Sequence, residues 1–182
     1  LDLEYIDLYL IHWPANSKKY KNPSEINRET WRALEELYEN GRVKAVGVSN
    51  FLPHHIEELK ETAGILPMVN QIELHIGYMQ EEVVRYNKAN NIVTEAYSPL
   101  GTGALLDNET LFKMAEKYGT TVSVICLSFL REKGIIILPK TISPEKMKEN
   151  MRFTKLEEED LTLLEAMPYI GGHAHNPDEV EF

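Results

Sequence analysis

Short apolar runs alternate with helix-period segments along the chain, and that alternation limits the possible folds more than any other feature. The runs fall at 6–13, 43–48, 68–74, 92–97 and 135–138. Between them lie amphipathic stretches with recognisable ends. Trp31, Leu34, Leu37 and Tyr38 form a stripe that stops at Asn40-Gly41, a helix-ending pair. Pro53 opens the next helix where its missing N–H costs nothing, and Ile56, Leu59 and Ala63 line the inner face before Gly64. Val83, Val84 and Tyr86 mark a third helix. Leu111, Met114 and Tyr118 mark another that ends at Gly119, and Ile125, Phe129 and Leu130 one that ends at Gly134. Ser143-Pro144-Glu145 is a strong helix start, with a capping serine, a first-turn proline and an acid near the positive dipole end. The last helix carries Leu161, Leu164 and Met167, and the acids Glu157-Glu158-Glu159-Asp160 open it as a favourable charge bias. Gly, Pro and Asn dominate residues 171–177, so 169–182 is expected to be a loosely held end of a single domain, 1–182.

Regular β-α alternation, with strands apolar enough to be covered on both faces, predicts a parallel sheet. An open dinucleotide-binding sheet requires a glycine-rich turn after its first strand, but Ile11-His12-Trp13-Pro14 stands there. A barrel fits better. Ile6, Leu8, Leu10 and His12 share one parity, giving aliphatic layers with a polar group at the C-terminal end. The other strands end in Ser49-Asn50, Asn70-Gln71 with Glu73, Tyr97-Ser98 and Pro139-Lys140-Thr141. Polar groups thus converge on one end of the strands, where barrel enzymes place their sites. Gly101-Thr102-Gly103 is a faint version of a phosphate-binding glycine loop.

The bulk properties narrow the partners. A net charge of −10 argues against nucleic acid and anionic membranes, though not against an anionic cofactor met by a few lysines. No apolar run approaches the roughly 20 residues of a membrane-spanning helix. A lone cysteine, Cys126, excludes an intrachain disulfide and suits a reducing cytoplasm; its neighbours Ile125 and Leu127 make it a small core hydrophobe. His54 and His55 read as solvated helix surface, and together with His75, His173 and His175 they offer no metal-like set of partners. Leu1-Asp2-Leu3-Glu4-Tyr5 reads as the tail of a helix running into a strand.

Five strand-end words then resemble one family in order and spacing. Tyr5 to Pro14, Gly47-Val48-Ser49-Asn50-Phe51, Asn70-Gln71-Ile72-Glu73-Leu74-His75, Ala96-Tyr97-Ser98-Pro99-Leu100-Gly101 and Leu138-Pro139-Lys140-Thr141 resemble the ends of strands 4 to 8 in the aldo-keto reductases. The resemblance implies a TIM (β/α)8 barrel, an NADP(H) cofactor and reduction of small aldehydes or ketones. It implies that His12 is the catalytic histidine that orients the carbonyl, and that Trp13 lines the substrate pocket. It assigns Ser49, Asn50 and Gln71 to the nicotinamide carboxamide, whose C=O and NH₂ suit hydroxyl and amide partners. Tyr97 would stack on the nicotinamide ring, with Ser98 and Leu100 beside it. Lys140, Thr141, Lys146 and Asn150 would hold the adenosine end. Lys146 stands where the family usually has arginine, so the charge stays and the planar fork is lost. Leu127-Ser128-Phe129-Leu130-Arg131, where the family commonly carries Arg-Trp, reads as a packing variation.

The same resemblance implies an absence. The family's aspartate, proton-donating tyrosine and lysine lie on its first three strands, which have no counterpart here, and Tyr5, Tyr9 and Tyr97 cannot replace the tyrosine by motif. The barrel is therefore expected to be incomplete, with open edges that favour self-association. Two functions follow: the cofactor-binding part of an NADPH-dependent carbonyl reductase, or a catalytically silent nucleotide-binding or structural relative. A third reading, an unrelated phosphate-binding barrel, rests only on the faint glycine loop.

Overall fold

All five expected strands form, and the strand pairs described within each unit are parallel. The computed structural model describes residues 3–181; Leu1, Asp2 and Phe182, including the first residues of the expected leading helix tail, lie outside the described residues. The elements are β1 (Tyr9–Ile11), α1 (Pro23–Glu39), β2 (Val46–Ser49), α2 (Pro53–Lys60), β3 (Val69–Glu73), α3 (Glu81–Ala89), β4 (Val93–Tyr97), a 3-10 turn at Gly101–Gly103, α4 (Glu109–Lys117), α5 (Val122–Glu132), β5 (Ile136–Leu138), α6 (Pro144–Asn150) and α7 (Glu158–Glu165). The chain, read above as one domain, divides into two compact units: residues 1–72, 81–94 and 175–182, and residues 73–80 and 95–174.

In the first unit, β1 lies parallel to β2 with Ile11 opposite Val48, and β2 to β3 with Ser49 opposite Gln71. Gly47 allows this approach, because a Cβ there would lie 2.5 Å from the Val69 carbonyl oxygen and 2.8 Å from Leu10. Trp31 and Leu34 of α1, Ile56 and Leu59 of α2, and Val46, Val48 and Phe51 form the core. Burial of one such side chain contributes about 1.5–3 kcal/mol. The Trp31 indole donates to the Ile65 carbonyl at 2.9 Å, which satisfies the one polar atom of the largest core residue. Helix α2 is shorter than the stripe suggests. It ends at Lys60, and Ala63 sits just past the turn that follows.

In the second unit, β4 pairs with β5, Tyr97 opposite Leu138. Helix α5 is buried from Val124 to Leu130, which explains why its sequence is apolar on every side. Cys126 lies in that helix, and burial pushes its thiol up to about 12, so it remains a protonated packing group. Ser143 caps α6 by accepting from the Lys146 N–H at 3.3 Å. The acidic start of α7 does more than face the helix dipole. Lys117 donates to Glu157 at 2.6 Å and to Asp160 at 2.7 Å, and that contact and the Tyr118 hydroxyl hold the Asp160 carboxyl below its usual range. Met167 lies beyond α7, which ends at Glu165. Among the described residues no helix is long and apolar enough to cross a membrane.

Candidate cofactor site

The residues expected to form a site fall into two groups, each within one unit. In the first unit the strand register brings His12 level with Ser49, because Ile11 lies opposite Val48. Ser49 lies opposite Gln71 and its hydroxyl donates to the Gln71 carbonyl at 2.8 Å. The Asn50 amide donates to the His12 carbonyl at 3.0 Å and to the Ser49 hydroxyl at 3.2 Å, while its own N–H bonds the Gln71 carbonyl at 2.9 Å. Ser49 and Asn50 are buried; the His12 side chain is exposed. Asn50 turns the chain out of β2 at φ 62°, a left-handed conformation that asparagine tolerates better than most residues. Trp13 lies beside His12, ring centroids 6.1 Å apart. The structure thus joins His12, Trp13, Ser49, Asn50 and Gln71 into one strand-top group.

Asn70 does not belong to that group. Strand alternation turns it to the opposite face from Gln71, where its amide donates to the Phe51 carbonyl at 2.9 Å and to Asn87 at 3.3 Å. On α2, His55 is buried, which corrects its reading as solvated surface. Its Nδ1 accepts the Leu52 N–H at 3.1 Å, and its Nε2 lies 3.1 Å from Asp178. Burial, then the neighbouring His54, pulls its pKa down to about 4 against the opposing pull of Asp178.

In the second unit a cleft of about 480 Å³ opens beyond β4 and β5. Lys140, Thr141, Lys146 and Asn150 line it with Ser98 and Leu100, all of them expected site residues. Thr102 and Gly103, from the faint glycine loop, line it too, as does Ser123, which carried no sequence signal. Among the described residues no carboxylate lines this cleft, and neither Lys140 nor Lys146 has an ion-pair partner. Ser98 leaves β4 at φ 49°, a left-handed conformation uncommon for serine. Tyr97 is half-buried. Burial, then the charge of Glu73, raises its hydroxyl above the ordinary tyrosine range.

The segment expected to be loosely held makes specific contacts in each unit. In the second, Glu73 accepts the His173 N–H at 2.8 and 2.9 Å and the Ala174 N–H at 2.7 Å. In the first, the buried Asn16 donates to the Pro177 carbonyl at 3.1 Å and to the Val180 carbonyl at 2.8 Å. Two histidine groups with ligand-like partners also form, contrary to the expectation of none: His54, His55 and Asp178, and Glu73, His75 and His173. Their partners lie about 100 residues or more away in sequence, so no local pattern could reveal them.

The family model for the aldo/keto reductase family matches residues 1–167. The chain belongs to the aldo/keto reductase family. Glyoxal reductase of Bacillus subtilis (strain 168) is 44% identical over 184 residues, covering 100% of this chain and 64% of that protein. The chain therefore spans about two thirds of the length of that relative. Among solved structures, the aldo-keto reductase MGS-M4 from a Medee basin deep-sea metagenome library is 40% identical with a TM-score of 0.91, covering 100% of this chain and 67% of that one. The aldo-keto reductase AKR2E5 of the silkworm, Bombyx mori, complexed with NADPH, is 34% identical with a TM-score of 0.80, covering 91% and 55%. These likenesses give the chain the α/β architecture of the aldo-keto reductase barrel, as the strand-end words implied.

Proposed function

We propose that this chain is the cofactor-holding and carbonyl-orienting part of an NADPH-dependent reductase of small aldehydes and ketones. The cleft lined by Lys140 and Lys146 carries the reading. In a protein of net charge −10, two unpaired ammonium groups, hydroxyl and amide neighbours and no lining carboxylate make a local site for an anion such as the adenosine 2′-phosphate. Lys140 and Lys146 neutralise that phosphate, Thr141 and Asn150 hydrogen-bond to it, and Ser98 and Leu100 wall the nucleotide. At the strand tops of the other unit, Ser49, Asn50 and Gln71 offer the hydroxyl and amide chemistry that pairs with a carboxamide. Tyr97 provides a ring for stacking.

When bound, NADPH supplies the hydride that goes to the carbonyl carbon. His12 donates a hydrogen bond that orients the substrate oxygen, and Trp13 forms a wall of its pocket. The tyrosine that protonates the oxygen, and the lysine and aspartate that tune it, have no motif counterpart in these 182 residues. The chain alone is therefore expected to bind cofactor without turnover. The similarity to glyoxal reductase makes small dicarbonyl aldehydes the substrate class of choice.

Titration of the chain with NADPH and NADH, followed by ligand fluorescence, tests the binding claim. NADPH is expected to bind at least about tenfold more tightly, since a charge-assisted phosphate contact contributes about 1.5–3 kcal/mol. Equal affinity for the two would overturn the phosphate assignment. Glyoxal-dependent loss of NADPH absorbance, measured with a protein that also carries the family's aspartate, tyrosine and lysine, separates reductase from silent relative.

A further inference from the structure

Glu73 and His75 are buried at the end of β3, and one atom between them lacks a partner. The His75 Nδ1 lies 2.9 Å from the Ile76 carbonyl. A carbonyl only accepts, so Nδ1 carries a proton and Nε2 presents its lone pair. That Nε2 is buried without a hydrogen-bond partner, 3.5 Å from the Glu73 Oε1. Lone pair and carboxylate oxygen thus face one another inside the protein, an arrangement that costs energy unless a cation lies between them. A proton shared between them would draw the pair to about 2.8 Å. A spacing near 3.5 Å instead suits two ligands that each stand roughly 2.0–2.1 Å from a tetrahedral zinc ion.

His173 completes the set, its ligating nitrogen within 4.8 Å of the other two ligand atoms. Main-chain N–H groups of His173 and Ala174 already hold the Glu73 carboxylate. Gly172 permits that approach, since a Cβ there would lie 2.7 Å from the Tyr78 ring and 3.0 Å from the Glu73 Oε2. The proton on the far nitrogen of His75, bonded to a carbonyl, is the outer-shell partner that metal-ligating histidines commonly have.

We propose that Glu73, His75 and His173 form a zinc site that fastens the segment around His173 to the end of β3. Two imidazoles and a carboxylate are borderline-soft ligands of the kind zinc takes, with a fourth position for water. The other histidine group lacks this character. There Nδ1 of His55 accepts a backbone N–H, so the proton sits on Nε2 and already points at Asp178.

Calorimetric titration of chelator-treated protein with zinc chloride tests the site, with cobalt(II) as a spectroscopic stand-in. One ion per chain is expected, with a visible cobalt band typical of four-coordination. His173→Ala changes an exposed side chain and leaves the main-chain bonds to Glu73 in place, and it should weaken zinc at least tenfold. Asp178→Asn, in the other group, should leave affinity unchanged. The proposal is overturned by absence of stoichiometric binding, by full affinity in His173→Ala, or by a loss seen only in Asp178→Asn.

Discussion

The Ser49 hydroxyl and the Asn50 amide at the top of β2 are buried and tied into hydrogen bonds, whereas the lysines beyond β5 stand exposed around a cleft. Asn50 makes bonds to the His12 carbonyl, the Ser49 hydroxyl and the Gln71 carbonyl, and the left-handed turn out of β2 depends on it. Lys140 and Lys146 make no ion pair among the described residues, although Lys117 and Lys133 in the same unit each pair with acids. The difference follows from the chemistry each group is proposed to serve. A carboxamide needs donors and acceptors at fixed angles, and burial fixes them. A phosphate needs charge, and a solvated ammonium delivers charge without fixed geometry.

The largest expected effect lies in the first group. Asn50→Ala removes the donor to the His12 carbonyl and the Ser49 hydroxyl and puts alanine into a left-handed turn, for a combined loss of about 2–4 kcal/mol. Urea unfolding measures it. A loss below about 1 kcal/mol would mean that the strand tops are not locked by this residue.

Lys140→Ala is the reverse case. Folding stability should not change, since an exposed lysine without a partner contributes little to it. Affinity for NADPH should fall about tenfold to a hundredfold and affinity for NADH should hold. If both cofactors weaken alike, the lysine positions the cleft and does not read the phosphate, and the contrast between the groups fails.

The smallest effect is a pH dependence that arises at His55 on α2, in the first unit. Burial depresses His55 from 6.5 to about 4, so the unfolded chain takes up a proton first. Stability is therefore full above about 6.5, declines as pH falls toward about 4, and loses nothing more from this group below that. Between about pH 7 and pH 5.5 the loss is about 1 kcal/mol. His55→Asn, which keeps an acceptor for the Leu52 N–H, should flatten that slope in thermal melts. An unchanged slope would assign the titration to another group.

Local sequence was enough to read most of the elements. Five apolar runs became five strands because period and composition act within a few residues, and helix ends such as Asn40-Gly41 and Ser143-Pro144 carry their own capping chemistry. The helix after Pro53 came out shorter than its stripe, because Ala63 packs against the core from beyond the helix end. The strand-end words also pointed to the residues proposed for the site, since in a parallel β/α fold the end of each strand is where function collects.

Long-range packing decided the rest. Nothing near Glu73 or His75 in the sequence announces His173, about 100 residues on, and nothing near His55 announces Asp178. Asn16 likewise holds a chain end more than 160 residues away. The sequence by itself determined the strand and helix pattern, the family and the polar groups at the strand ends, because these depend on local periodicity and on motifs. Only the tertiary structure decided which histidines are buried, which ring nitrogens of His55 and His75 meet backbone groups and what holds residues 169–181, because those depend on groups that meet only when distant segments fold together.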